Sequence, residues 1–238
     1  MHQFSCAYFL AALVLMLVTA PFLEHLPGGN LIATLAMTLV LMSAVLAIGS
    51  RRETLAVAIV LVVPALLAKW VEQVRPDLLP PGTFQAAGIL FVAYVVTHLL
   101  RSILRAPRVD SEVLCAGIGT YLMLGVLWML GYVLVARVAP DSFAFNVGSV
   151  SSRSMDGFNA LYFSFVTLST VGFGDIVPVS GAARMLAMTE AIAGLFYMTL
   201  LIARLVAIYS AERPVELRNE QASAADHSAV TKKGTLSD

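Results

Sequence analysis

The chain has 238 residues, 59% of them hydrophobic and 13% charged, roughly half the charge of an ordinary soluble domain, where about 25% is usual. Its formal net charge is zero, which removes any electrostatic case for a nucleic-acid partner. Cys6 and Cys115 lie in apolar runs and behave as small hydrophobes, and His2, His25, His98 and His227 lack metal-ligand spacing, so neither a disulfide framework nor a metal centre is indicated.

A helix needs about 20 apolar residues to cross the hydrocarbon core of a bilayer. Six stretches meet that length: Phe4 to Leu23, Leu31 to Gly49, Leu55 to Val74, Phe84 to Leu104, Val113 to Ala136 and Ala182 to Tyr209. The first is read as a retained helix, because "MHQFSCAYFL" has no basic start of the kind a cleaved signal carries. The third contains Pro64, which a membrane helix tolerates as a kink. The fifth carries Gly117, Gly119, Gly125 and Gly131, small surfaces for close helix packing.

Between the fifth and sixth spans lies "FNALYFSFVTL", apolar for only about three turns and too short to cross. Asp156 precedes it as a candidate N-cap. The tail from Ala211 to Asp238 is polar and without periodicity, so it is expected to be disordered. The organisation expected is a peripheral four-helix domain over 1-110, a second domain over 111-210 and a cytoplasmic tail over 211-238. Both termini are placed in the cytoplasm, since Arg51, Arg52, Arg101, Arg105, Arg108, Arg213, Arg218, Lys232 and Lys233 then fall inside.

The short helix runs directly into "TLSTVGFGD", Thr167 to Asp175, which occurs once in the chain. Irregular backbone at membrane depth is tolerated only where it lines a cavity or is buried in protein. Gly172 and Gly174 permit angles forbidden to residues with a Cβ, so successive carbonyls can point one way and replace the water around a dehydrated cation.

"TVGFGD", Thr170 to Asp175, resembles the selectivity filter of potassium channels of the six-transmembrane, one-pore type. The resemblance implies an all-α membrane protein with six transmembrane helices, a re-entrant pore helix and a filter loop, assembled as a four-fold tetramer. It implies ion-binding by Thr170, Val171, Gly172, Phe173 and Gly174, with K⁺ held at the first four, and it places Asp175 at the outer mouth. "FNALYFSFVTLS" is similar to the family's pore helix, and Gly194 stands where the family often has a hinge glycine. The activity implied is passive K⁺ conduction across the plasma membrane, with K⁺, the bilayer and copies of the chain itself as partners, no organic cofactor and no enzymatic step.

Two departures from the family pattern stand out. The filter aromatic is Phe173 where tyrosine is commoner, and Val166 occupies a position where some members place a glutamate that pairs with the filter acid, so Asp175 needs another partner or water. The fourth span carries no charge over "FQAAGILFVAYVVTHLL", Phe84 to Leu100. Arg101, Arg105 and Arg108 crowd its end, where basic side chains snorkel to headgroups, so strong voltage gating is not expected.

Beyond Arg184 at its start, two charges fall inside the last span. Glu190 is expected either to brace the pore helix behind the filter or simply to hold neighbouring helices together. Arg204 reads as a snorkelling anchor near the cytoplasmic end, and Met198, Leu201 and Leu205 as lumen or packing residues at helical spacing. Three other readings compete: a less selective cation channel, a nonconducting regulatory subunit, and a membrane enzyme or transporter. The last would need paired polar residues at mid-membrane in the first four spans, where Glu72 and His98 lie only near the ends.

Overall fold

The computed structural model describes residues 3–23, 28–48, 52–75, 77–78, 80–106, 111–147 and 154–234, with side chains described to residue 207. Arg51, Arg108 and Arg153 lie outside the described residues. The helices are α1 (Gln3–Leu23), α2 (Gly29–Ala47), α3 (Arg52–Val74), α4 (Thr83–Arg105), α5 (Ser111–Val138), α6 (Gly157–Leu168) and α7 (Gly181–Gly234). Two three-residue strands, β1 (Phe143–Phe145) and β2 (Ile176–Pro178), flank α6 and its following loop.

Among the described residues, five helices are long and apolar enough to cross a membrane: α2, α3 from Glu53, α4, α5, and α7 over Gly181–Ala207. Five such helices describe a multi-pass membrane protein. The described apolar part of α1, Ala7–Phe22, falls short of that length, as does α6.

The first five helices close into a ring, in which α1 packs on α2, α2 on α3, α3 on α4, α4 on α5, and α5 back on α1. Their core is continuous, from Phe9 and Leu13 of α1 through Val40 and Leu41, Val62, and Phe91 and Val95 to Met123 and Val126 of α5. The glycines of α5 allow close helix packing as expected, Gly119 within the ring and the other three toward α6 and α7. Gly119 faces the Phe9 ring, Gly125 the Phe165 ring, Gly117 the Leu201 side chain and Gly131 that of Leu186.

Helix α5 therefore belongs to two bodies at once, because its other faces carry α6 and α7. The second core lies there, built from Tyr132, Phe143, Met155, Ala160, Phe163 and Ile176. Tyr132, Phe143 and Phe163 meet edge to face with centroids 4.8 to 5.8 Å apart, the geometry that the ring quadrupoles favour.

The tail departs from expectation: where the sequence predicts a disordered segment, the backbone continues as α-helix to Gly234. The reason is local. "AERPVELRNEQASAADHSAV" carries five Ala, three Glu and two Arg, which are good helix formers, and a helix that extends α7 through Pro214 needs no new nucleus.

Candidate functional site

Helix α6 ends by turning back on itself. The Ser169 N–H bonds the Phe165 carbonyl at 3.0 Å and the Thr170 N–H that of Thr167 at 2.9 Å. The Val166 carbonyl then accepts both the Val171 N–H (3.0 Å) and the Gly172 N–H (3.3 Å). These bonds consume carbonyls that a helix C-terminus otherwise leaves unpaired.

Beyond this turn the backbone alternates in hand. Thr170, Gly172 and Gly174 have φ of 60°, 58° and 80°, while Val171 and Phe173 between them do not enter the left-handed region. In an extended strand successive groups point to opposite sides; reversing the hand at every second residue brings successive carbonyls to one side. Sequence reasoning finds the two glycines and names Thr170 by resemblance, but does not find the left-handed backbone of Thr170. A β-branched residue seldom takes positive φ, at a cost of about 1–2 kcal/mol, and only its place two residues before Gly172 continues the alternation. The whole stretch 169–174 is exposed in the single chain, with Val171 at 54% and Phe173 at 70%.

Asp175 has the partner that Val166 does not supply. The Tyr162 hydroxyl donates to its Oδ2 at 2.7 Å, and the Ile176 N–H donates to its Oδ1 at 3.0 Å. A phenol is protonated at physiological pH, so in this bond the Asp175 carboxylate is the acceptor and Tyr162 the donor. Its ring also stacks on that of Phe173, 6.5 Å between centroids and 6° from parallel.

The segment before α6 reaches the same place. β1 pairs antiparallel with β2 in the register Phe143↔Pro178, Ala144↔Val177, Phe145↔Ile176. The next residue, Asn146, donates its backbone N–H to the Asp175 carbonyl at 2.7 Å and its side-chain Nδ2 to the Gly174 carbonyl at 2.6 Å. Neither the strand pair nor Asn146 is visible from sequence, since three residues carry no periodicity.

Asp156 occupies the N-cap position of α6, but its side chain makes no capping bond, contrary to expectation. Its carboxylate is taken instead by the Ser154 hydroxyl at 2.6 Å. A short-range partner competes successfully with the helix amides.

Behind the loop, Glu190 is fully buried. Its Oε2 accepts the Tyr132 hydroxyl. Ser164 Oγ lies 2.6 Å from Oε1 and 2.8 Å from the Gly125 carbonyl, one hydroxyl proton between two acceptors. The carboxyl thus links α5, α6 and α7. Gly194 lies close by for a packing reason: a Cβ there would run into the Leu168 carbonyl at the end of α6. Helix α7 passes through Gly194 unbroken.

Further along α7, the Tyr197 hydroxyl donates to the Gly117 carbonyl at 2.5 Å, and Leu201 packs with Ile103 and Ala116. Arg204 corrects the snorkelling expectation, because its Nη2 donates to the Ala106 carbonyl at 2.8 Å. Ala106 is the C-cap of α4, where unpaired carbonyls and the negative end of the helix dipole favour a cation. Met198 is exposed.

Comparison with known proteins points to the same part of the chain. Residues 122–211, from α5 through the loop to α7, match the model of a family described as "Ion channel". A 72-residue stretch is 40% identical to "Two pore potassium channel b" of Oryza sativa subsp. japonica, covering 28% of this chain and 20% of that protein. A 46-residue stretch is 46% identical to "Two-pore potassium channel 1" of Arabidopsis thaliana, covering 19% of this chain and 13% of that protein. The matched segments thus span a fifth or less of these relatives' lengths. No solved structure matches the chain.

Proposed function

We propose that this chain is a subunit of a passive, K⁺-selective channel, not an enzyme, and that four copies converge on one conduction axis. In this reading the carbonyls of Thr170, Val171, Gly172 and Phe173, with the Thr170 hydroxyl, replace the water that K⁺ leaves behind, and Asp175 stands at the outer mouth. One observation carries the function: the alternation of left-handed backbone at Thr170, Gly172 and Gly174 in an exposed stretch between two apolar helices. A packed turn has no use for such a row. An ion stripped of its water does.

Four copies follow from the same stretch. One chain supplies the motif once and therefore one side of a coordination cage, and closed cyclic symmetry is how identical chains complete such a cage. An apolar recess of about 320 Å³, running from Leu17 of α1 along α6 to Val171 and Phe173, is left open beside the row. It suits packing by a neighbouring copy. We further propose six crossings, with α1 included, α6 re-entrant and both termini cytoplasmic in the plasma membrane. Gating by voltage is shallow in this reading, because Arg101 and Arg105 lie exposed at the end of α4 instead of within the membrane field. Flow is driven by the electrochemical gradient, with no organic cofactor.

The test is K⁺ flux through the purified full chain in liposomes, with reversal potentials under opposed K⁺ and Na⁺. Flux that Gly172→Ala abolishes, with reversal near the K⁺ limit, is the expected result. Reversal near zero would identify a less selective cation channel. Absence of flux from wild type would leave a nonconducting subunit.

A further inference from the structure

We propose that Asn146 is a positioning residue for the outer end of the conduction row: its side-chain amide claims the Gly174 carbonyl, so that ion coordination by the backbone ends at Phe173. The inference rests on the channel reading above and assigns a role to a residue outside the motif. It also removes Gly174 from the ion-binding set that resemblance alone implies.

The geometry is specific. Asn146 reaches two consecutive carbonyls, Gly174 through Nδ2 at 2.6 Å and Asp175 through its backbone N–H at 2.7 Å. A carbonyl can only accept, so the group facing Gly174 must be the amide NH₂. The register explains why this residue arrives there. Phe145 lies opposite Ile176, and one step further along each strand sets Asn146 against Asp175.

Packing does not account for the side chain. Asn146 is exposed and contributes to neither hydrophobic core. Its two bonds go to the backbone of the stretch that the channel reading makes functional. The amide hydrogens put partial positive charge beside the Gly174 oxygen, which makes that oxygen a poorer cation ligand. On the other flank, Tyr162 holds the Asp175 side chain. Asn146 acts on the backbone of the outer end and Tyr162 on its acid, so removing the amide frees one carbonyl without touching the acid.

Asn146→Ala deletes the amide but keeps the backbone bond to Asp175, which isolates the side chain. The experiment records K⁺ current from the full chain in planar bilayers while external K⁺ is lowered. Val147→Ala, at the exposed neighbouring position, serves as control. In Asn146→Ala the current should persist down to external K⁺ about three- to tenfold lower than in wild type, because the freed Gly174 oxygen becomes a ligand at the outer end, by the factor that one net hydrogen bond represents. Asn146→Asp, of the same shape without the donor, should do the same, while Val147→Ala should match wild type. Wild-type conduction with an unchanged K⁺ dependence in Asn146→Ala overturns the inference alone. So does a lower yield of assembled protein with an unchanged K⁺ dependence, which would mark a purely structural role. Failure of wild type to conduct overturns the channel reading and this inference with it.

Discussion

The ring of helices α1 to α5 and the segment from α6 to α7 solve opposite problems. The ring finishes its packing within one chain, with Phe9, Leu41, Phe91 and Met123 all fully buried in one core. The loop after α6 does the reverse. It holds Thr170, Gly172 and Gly174 in left-handed backbone and leaves six consecutive residues exposed. In the channel reading proposed above, the uncovered backbone of the second half faces an ion and neighbouring copies, which the closed core of the first half does not need.

The sharpest way to break this contrast is to damage each half and ask what is lost. Gly172→Ala meets nothing within 4 Å, so its cost is purely conformational, at φ 58°. It should abolish K⁺ flux in liposomes while leaving the thermal midpoint in detergent close to wild type. Leu41→Ala opens a cavity in the ring and should lower stability by about 2–5 kcal/mol, yet leave the reversal potential of the surviving channels where it was. If Leu41→Ala alters selectivity, the two halves are not separate in function.

Glu190 tests the seam between them. With the carboxyl replaced by Leu, the Tyr132 hydroxyl loses its acceptor while Ser164 keeps the Gly125 carbonyl, and one buried unpaired group costs about 1–3 kcal/mol. Glu190→Leu should therefore melt well below wild type. Glu190→Gln, which keeps a carbonyl oxygen and the shape, should recover most of the loss. Equal melting of the two variants would remove the hydrogen bonds from the account and leave only packing.

How much of this was legible beforehand depends on the range of the interaction. The spans are legible because each is a long run of one chemistry: α3 ends at Val74 as predicted, and α2 and α4 agree to within two residues at either end. The loop is legible because its two glycines, Gly172 and Gly174, stand within one short run of sequence. Contacts that join distant residues are not. Glu190 could be flagged as a charge in an apolar helix, but Tyr132, 58 positions earlier, carries no mark that connects them. Asp175 could be seen to lack a glutamate partner at Val166, yet the hydroxyl that replaces it sits on Tyr162, one turn earlier on α6. Arg204 looks like any basic residue near a helix end until the C-cap of α4 is placed beside it.

Arg204 joins the ring to α7 by one charged hydrogen bond at 2.8 Å to Ala106. Its loss should cost about 1–2 kcal/mol, the range for a cation at a helix C-terminus. Arg204→Ala should shift the fraction of time that single channels spend open, with unitary conductance and selectivity unchanged. Arg204→Lys should lie between, since an ammonium keeps the charge but loses the planar fork. A change in unitary conductance would place Arg204 in the ion path and sink the tether.

The smallest effect expected is the most local. Tyr162→Phe removes the hydroxyl that donates to Asp175 but keeps the ring that stacks on Phe173. Asp175 retains the Ile176 N–H on its other oxygen, so the acid is loosened on one side and not released. One half-buried hydrogen bond, to an acid that keeps a second donor, is worth about 1 kcal/mol, a several-fold change in an equilibrium and not a loss of function. Conduction should persist with near-normal selectivity, and only the stability of the open filter during prolonged recording should fall. Tyr162→Ala takes away the ring as well and should do more. If the two variants behave alike, the hydroxyl carries the whole effect and the stacking on Phe173 is incidental; if Tyr162→Phe matches wild type, Asp175 is held by its backbone neighbours alone.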